Sequence, residues 1–131
     1  MATVVTNGGR DVITARLGAV GTAEPKNIGW GTGGGTSSVT DTTLFTEKLV
    51  DLTTSAGTDH TVGTSTQQTT TVTNDTYQVI GTRTATGAGT VTNAGLFTAA
   101  SGGTLFLKGD FTGIALSSSD SIQFTIKAVF A

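Results

Sequence analysis

The chain has 131 residues, no cysteine, one histidine and a net charge of −2, and Thr, Ser and Gly (30, 9 and 19 of them) make up nearly half of it. That balance excludes a disulfide framework, a thiolate metal site and a His-rich metal cluster, and 7 Lys and Arg give no basic footprint for nucleic acid. No run of about 18 apolar residues is present to span a membrane as a helix, and 12% charged residues leave solubility resting on hydroxyl groups.

Taken from the start, residues 1–9 lack a basic segment followed by an apolar one, so no secretory leader is expected. The one predicted helix follows, within an N-terminal arm over about 6–21. Thr6 or Asn7 is the expected N-cap, Ile13, Leu17 and Val20 fall on one face at i, i+4, i+7, and Gly18 and Gly21 end it. Gly8 and Gly9 in the first turn work against it, since glycine is a poor helix former. Residues 26–32, carrying Trp30, read as a short strand, 31–41 as a Gly/Ser/Thr loop, and 44–48 as a strand with an irregular exit. Residues 55–63 read as a loop that holds His60 in solvent.

The strand signal strengthens from Thr64. Residues 64–73 are polar on both faces apart from Val72, which suits an edge or a strand that adds to a neighbouring sheet. Asn74 and Asp75 form a two-residue turn into a strand over 76–84. Strands follow over 90–98, 105–111 and 121–130. The last is the cleanest, with Ile122, Phe124, Ile126, Ala128 and Phe130 on one face and Gln123, Thr125 and Lys127 on the other. Between Leu105 and Leu116 the apolar parity changes, and a bulge or bend at Gly113 would return both halves to the core. Five of the eight aromatic residues lie between Phe97 and Phe130, which predicts a folding core in the C-terminal third. Short strands with turn signals every ten or so residues predict an all-β chain: one antiparallel β-sandwich domain over 1–131, with jelly-roll-like connections and one short N-terminal helix.

Chemical motifs carry little. Residues 29–34 match GxGxxG, but no helical face follows to aim its amides at a pyrophosphate, so the stretch reads as a loop after a strand. His60 has no G-x-S-x-G partner. The seven Asp and two Glu sit mostly beside Gly, Ser, Thr or Asn, the pattern of side chains capping turns. No catalytic residue, cofactor site or metal site is expected. Trp30 reads as a core residue or, because aromatic anchors dominate interfaces, as a partner contact.

Residues 4–17 (VVTNGGRDVITARL), 24–33 (EPKNIGWGTG), 74–116 and 119–127 resemble a family of small virion proteins of tailed bacteriophages, comprising head decoration (cement) proteins and tail-fibre or collar-like proteins. The resemblance covers almost the whole chain, from Val4 to Phe130. It implies a non-enzymatic structural protein made in the host cytoplasm and carried on the outer head surface. Its partners would be the major capsid protein and copies of itself, as dimers or trimers. The added shaft and tip of a tail fibre are not expected, which favours decoration; a tail or collar adaptor is the alternative, and a carbohydrate-binding module a remote one. Ile13, Leu17, Trp30 and Phe45 are the residues expected to touch a partner.

Overall fold

A computed structural model describes residues 2–54 and 57–130. The order is β1 (Thr3–Val5), α1 (Asn7–Leu17), β2 (Asn27–Gly31), β3 (Glu47–Lys48), β4 (Thr61–Val62), β5 (Thr64–Gln68), β6 (Thr76–Thr84), β7 (Gly89–Phe97), β8 (Leu105–Leu116) and β9 (Ser121–Val129). The larger sheet runs β1-β8-β7-β2-β3, with β4 also on β2; the smaller runs β5-β6-β9. Every named strand pairing is antiparallel.

The sheets form the predicted sandwich. Ile28, Trp30, Val91, Leu96 and Leu107 of the larger sheet are buried with Val79, Phe124 and Ala128 of the smaller one, and α1 adds Val12. Each fully buried aliphatic side chain contributes roughly 1.5–3 kcal/mol. The two sheets are joined by a folded ribbon. β7 pairs β8 in one sheet and β6 pairs β9 in the other. The two crossovers run side by side: Ala85 N–H donates to the Asp120 carbonyl at 2.8 Å and Ser119 N–H to that of Ala85 at 2.7 Å. One long two-stranded ribbon thus bends from sheet to sheet.

The parity change in β8 is resolved by two irregularities. Thr92 of β7 faces the three residues between Asp110 and Ile114, which includes the expected bend at Gly113. Leu116 returns to the core, whereas Ile114 stays exposed. The second shift leaves Phe106 extra between Leu105 and Leu107. Phe106 and Leu107 therefore enter the inter-sheet core, while Leu105 joins Leu44 and Phe97 in a second cluster.

Three expectations are corrected. The strand over 44–48 shrinks to two residues. β5 is an edge strand, as expected, but ends at Gln68, so the hairpin turns through residues 69–75. Asn74 takes the left-handed conformation (φ 62°) inside that longer loop. The loop over 55–63 begins on Ser55 and Ala56, outside the described residues, and its His60 is buried.

Candidate functional site

Helix α1 starts where the sequence places it, because Thr6 serves two purposes. Its hydroxyl accepts the Gly9 N–H at 2.9 Å and donates to the Leu105 carbonyl. The cap therefore also fixes the helix to β8. Gly9 is glycine for space: a Cβ there would stand 2.1 Å from the Phe106 carbonyl oxygen. The helix lies on β8 along a narrow stripe, with Gly9 and Val12 buried and Ile13 half-buried. The predicted face is thus largely outward, with Leu17 83% and Val20 67% exposed.

Beside the helix lies an open groove of about 520 Å³. Ile13, Leu17, Tyr77, Phe106 and Phe130 supply its apolar surface, and Arg16 and Glu24 its charges. Tyr77 stands edge-on to Phe106 (centroids 6.1 Å apart) and donates its hydroxyl to the Pro25 carbonyl at 3.1 Å. Burial, with the nearby Glu24 carboxylate, holds the Tyr77 phenol well above its usual pKa, so it remains a donor.

Of the four expected contact residues, Ile13 and Leu17 meet in this groove, and Trp30 and Phe45 lie elsewhere. The assignment of Trp30 to an interface is corrected. Trp30 is fully buried between the sheets, donates Nε1–H to the Leu49 carbonyl at 2.9 Å, and carries the Arg83 guanidinium 4.9 Å from its ring centroid. Arg83, itself buried, donates to the Ile28 carbonyl at 3.0 Å and the Thr61 hydroxyl at 3.1 Å. Burial lowers its pKa to about 10, which leaves it charged at neutral pH.

Phe45 covers the opposite face of the larger sheet. Its backbone N–H donates to Asn93 Oδ1 at 3.0 Å, and Asn93 Nδ2 donates back to its carbonyl at 3.1 Å. Lys108 Nζ lies 3.2 Å from the ring centroid and donates to Asp41 and to the Thr43 carbonyl, each at 2.9 Å. This packing accounts for the first two glycines of the GxGxxG match, Gly29 and Gly31; at Gly34 a Cβ would meet nothing within 4 Å. A Cβ on Gly31 would stand 2.3 Å from the Phe45 carbonyl oxygen, and one on Gly29 would meet His60, Phe97 and Leu44. The glycines let a covering segment lie flush on β2.

His60 and Glu47 were not legible in the sequence. The imidazole stacks on Phe97 at 3.9 Å, Nδ1–H donates to the Ala99 carbonyl at 2.7 Å, and Nε2 lies 2.6 Å from Glu47 Oε1. Both ring nitrogens are thus engaged with protein oxygens. Among the described residues, no group of three or more His, Cys, Asp or Glu is placed to hold a metal ion. Of the eight aromatic side chains only Phe130 is exposed.

Most remaining carboxylates cap loops, as their neighbours in sequence predict. Asp75 accepts the backbone N–H groups of Thr70, Thr71 and Val72 at 2.8, 2.9 and 2.8 Å. Asp41, Asp51 and Asp110 take similar bonds from Ser38, Thr53 and Ser37. The Val72 amide first, then its companions, hold the Asp75 carboxyl far below its ordinary pKa. The folded value lies under the unfolded one, about 3.9. Above the unfolded value the stabilisation is complete; as pH falls, the unfolded chain takes up the proton first and the contribution is lost. Urea midpoints of the native chain are therefore expected to fall from about pH 5 downwards. Asp75→Asn should lower the neutral midpoint and flatten that fall; an unchanged acid slope would show that Asp75 contributes little.

No family model, no curated protein and no solved structure matches the chain. Among the described residues, no helix is long and apolar enough to cross a membrane.

Proposed function

We propose that this chain is a non-enzymatic virion protein of a tailed bacteriophage, a head decoration or cement protein that binds the outer lattice of the major capsid protein. The observation that carries the reading is the outer side of α1. A chain with few charges and many hydroxyls leaves Leu17 and Phe130 uncovered around one groove, and Val20 exposed just past the end of the helix. Exposed apolar clusters of this kind mark protein contacts. The near full-length resemblance to phage decoration and tail proteins supplies the partner.

Binding the assembled lattice and not its free subunits stabilises the lattice by mass action. Many copies, each linked to its own kind as a dimer or trimer, make modest contacts sufficient. Such a role uses no cofactor. Because Leu17 is 83% exposed, Leu17→Asp should leave the melting temperature unchanged while weakening binding to undecorated heads by roughly tenfold in a cosedimentation assay. Full affinity in that variant would remove the helix from the interface.

Immunogold labelling of purified virions tests location. Gold over the entire head is expected. Gold confined to one vertex or to the tail would overturn decoration and leave the tail-fibre or collar-adaptor reading.

A further inference from the structure

Strands at sheet edges expose rows of unpaired N–H and C=O groups, and proteins blunt them with charges, prolines, bulges or short length. Here β1, β3, β4 and β5 are two to five residues long. β9 has nine, and among the described residues its only hydrogen-bonded neighbour strand is β6. Its pairing runs through nine consecutive residues without a register shift, so no bulge turns its free edge aside. It contains no proline, and Lys127 is its only charge.

That edge is complementary to itself. All nine residues find partners in an antiparallel copy only when a two-fold axis passes at Thr125, the middle of Ser121–Val129. In that register Gln123 faces Lys127, Ser121 faces Val129, Ile122 faces Ala128, and Phe124 faces Ile126. No like charges meet. Opposed residues share a face of the sheet, so half-buried Ile122 and Ile126 gain apolar cover on the core side. Gln123, Thr125 and Lys127 meet their counterparts on the solvent side, where all three are exposed.

We propose that β9 is a homodimer edge: two copies pair β9 with β9 about Thr125, giving one continuous six-stranded sheet in the order β5-β6-β9-β9-β6-β5. A two-fold contact of this kind uses the same patch on both copies and closes on itself. The proposal deepens the self-association in the decoration reading. Its test uses the isolated chain, so its failure is read separately from the gold labelling.

Light scattering coupled to gel filtration should give the mass of two 13.1 kDa chains. Gln123→Lys would place lysine against Lys127 on both sides of the axis and is expected to give monomers with unchanged circular dichroism, because the Gln123 side chain is exposed. Gln123→Glu would create two opposite-charge pairs and is expected to lower the dimer dissociation constant by about tenfold. Thr66→Lys, on the β5 edge, should leave the dimer intact. A native chain that is monomeric across the micromolar range, a trimer, a dimer indifferent to both changes at Gln123, or a dimer lost on Thr66→Lys would each overturn the assignment.

Discussion

Glu47→Ala is expected to cost about 1–3 kcal/mol of folding stability, the penalty for leaving a buried polar atom without its partner. The pair is enclosed: the His60 ring stacks on Phe97, its Nδ1–H is held by the Ala99 carbonyl, and Nε2 is left facing the space vacated by the carboxylate. His60→Ala should cost a similar amount by stranding the carboxylate and exposing one face of Phe97. Replacing both at once, Glu47→Leu with His60→Phe, should recover most of the loss, since an apolar pair carries no desolvation penalty. Urea unfolding of the single and double variants closes the cycle. Single variants costing under about 1 kcal/mol would place the pair with weak surface contacts.

Trp30→Ala is expected to cost about 3–5 kcal/mol, the usual range for emptying a large aromatic site. Two further losses act in the same direction: the Leu49 carbonyl loses its donor, and the buried Arg83 guanidinium loses the ring beneath it. Trp30→Phe keeps a ring there and should cost clearly less. The informative comparison is with head binding. If the chain decorates heads as proposed, the fraction of Trp30→Phe that remains folded should bind them with native affinity, because the side chain reaches no surface. Weaker binding by fully folded protein would return Trp30 to the interface.

The limits of the sequence reading are physical. Strand positions were legible because residue alternation is local, and the helix start was legible because Thr6 caps within three residues. Which helix face turns inward was not. Ile13, Leu17 and Val20 satisfy helical spacing, but contact with β8 is set by Gly9, whose missing Cβ lets the backbones approach. The fit of Gly9 against Phe106 joins residues far apart in the chain. His60 and Glu47 failed for the same reason: the Ala99 carbonyl that fixes the ring is 39 positions away. The groove beside α1 was half legible, through Ile13 and Leu17. Hydrophobicity alone selected Ile13, Leu17, Trp30 and Phe45, and hydrophobicity cannot separate a residue that covers the core from one left uncovered.

The bent ribbon also bears on synthesis at the ribosome. The turn between Phe97 and Leu105 closes the innermost pairs, and zipping can spread outward from it along β7–β8 to β6–β9. The first turn of α1 is bound to the Leu105 carbonyl, and β1 pairs with residues Leu107 to Gly109. The N-terminal arm therefore waits, without its final partners, until translation has passed Gly109. Folding should then proceed late and largely in one step, on the milliseconds-to-seconds scale of chains dominated by distant strand pairings.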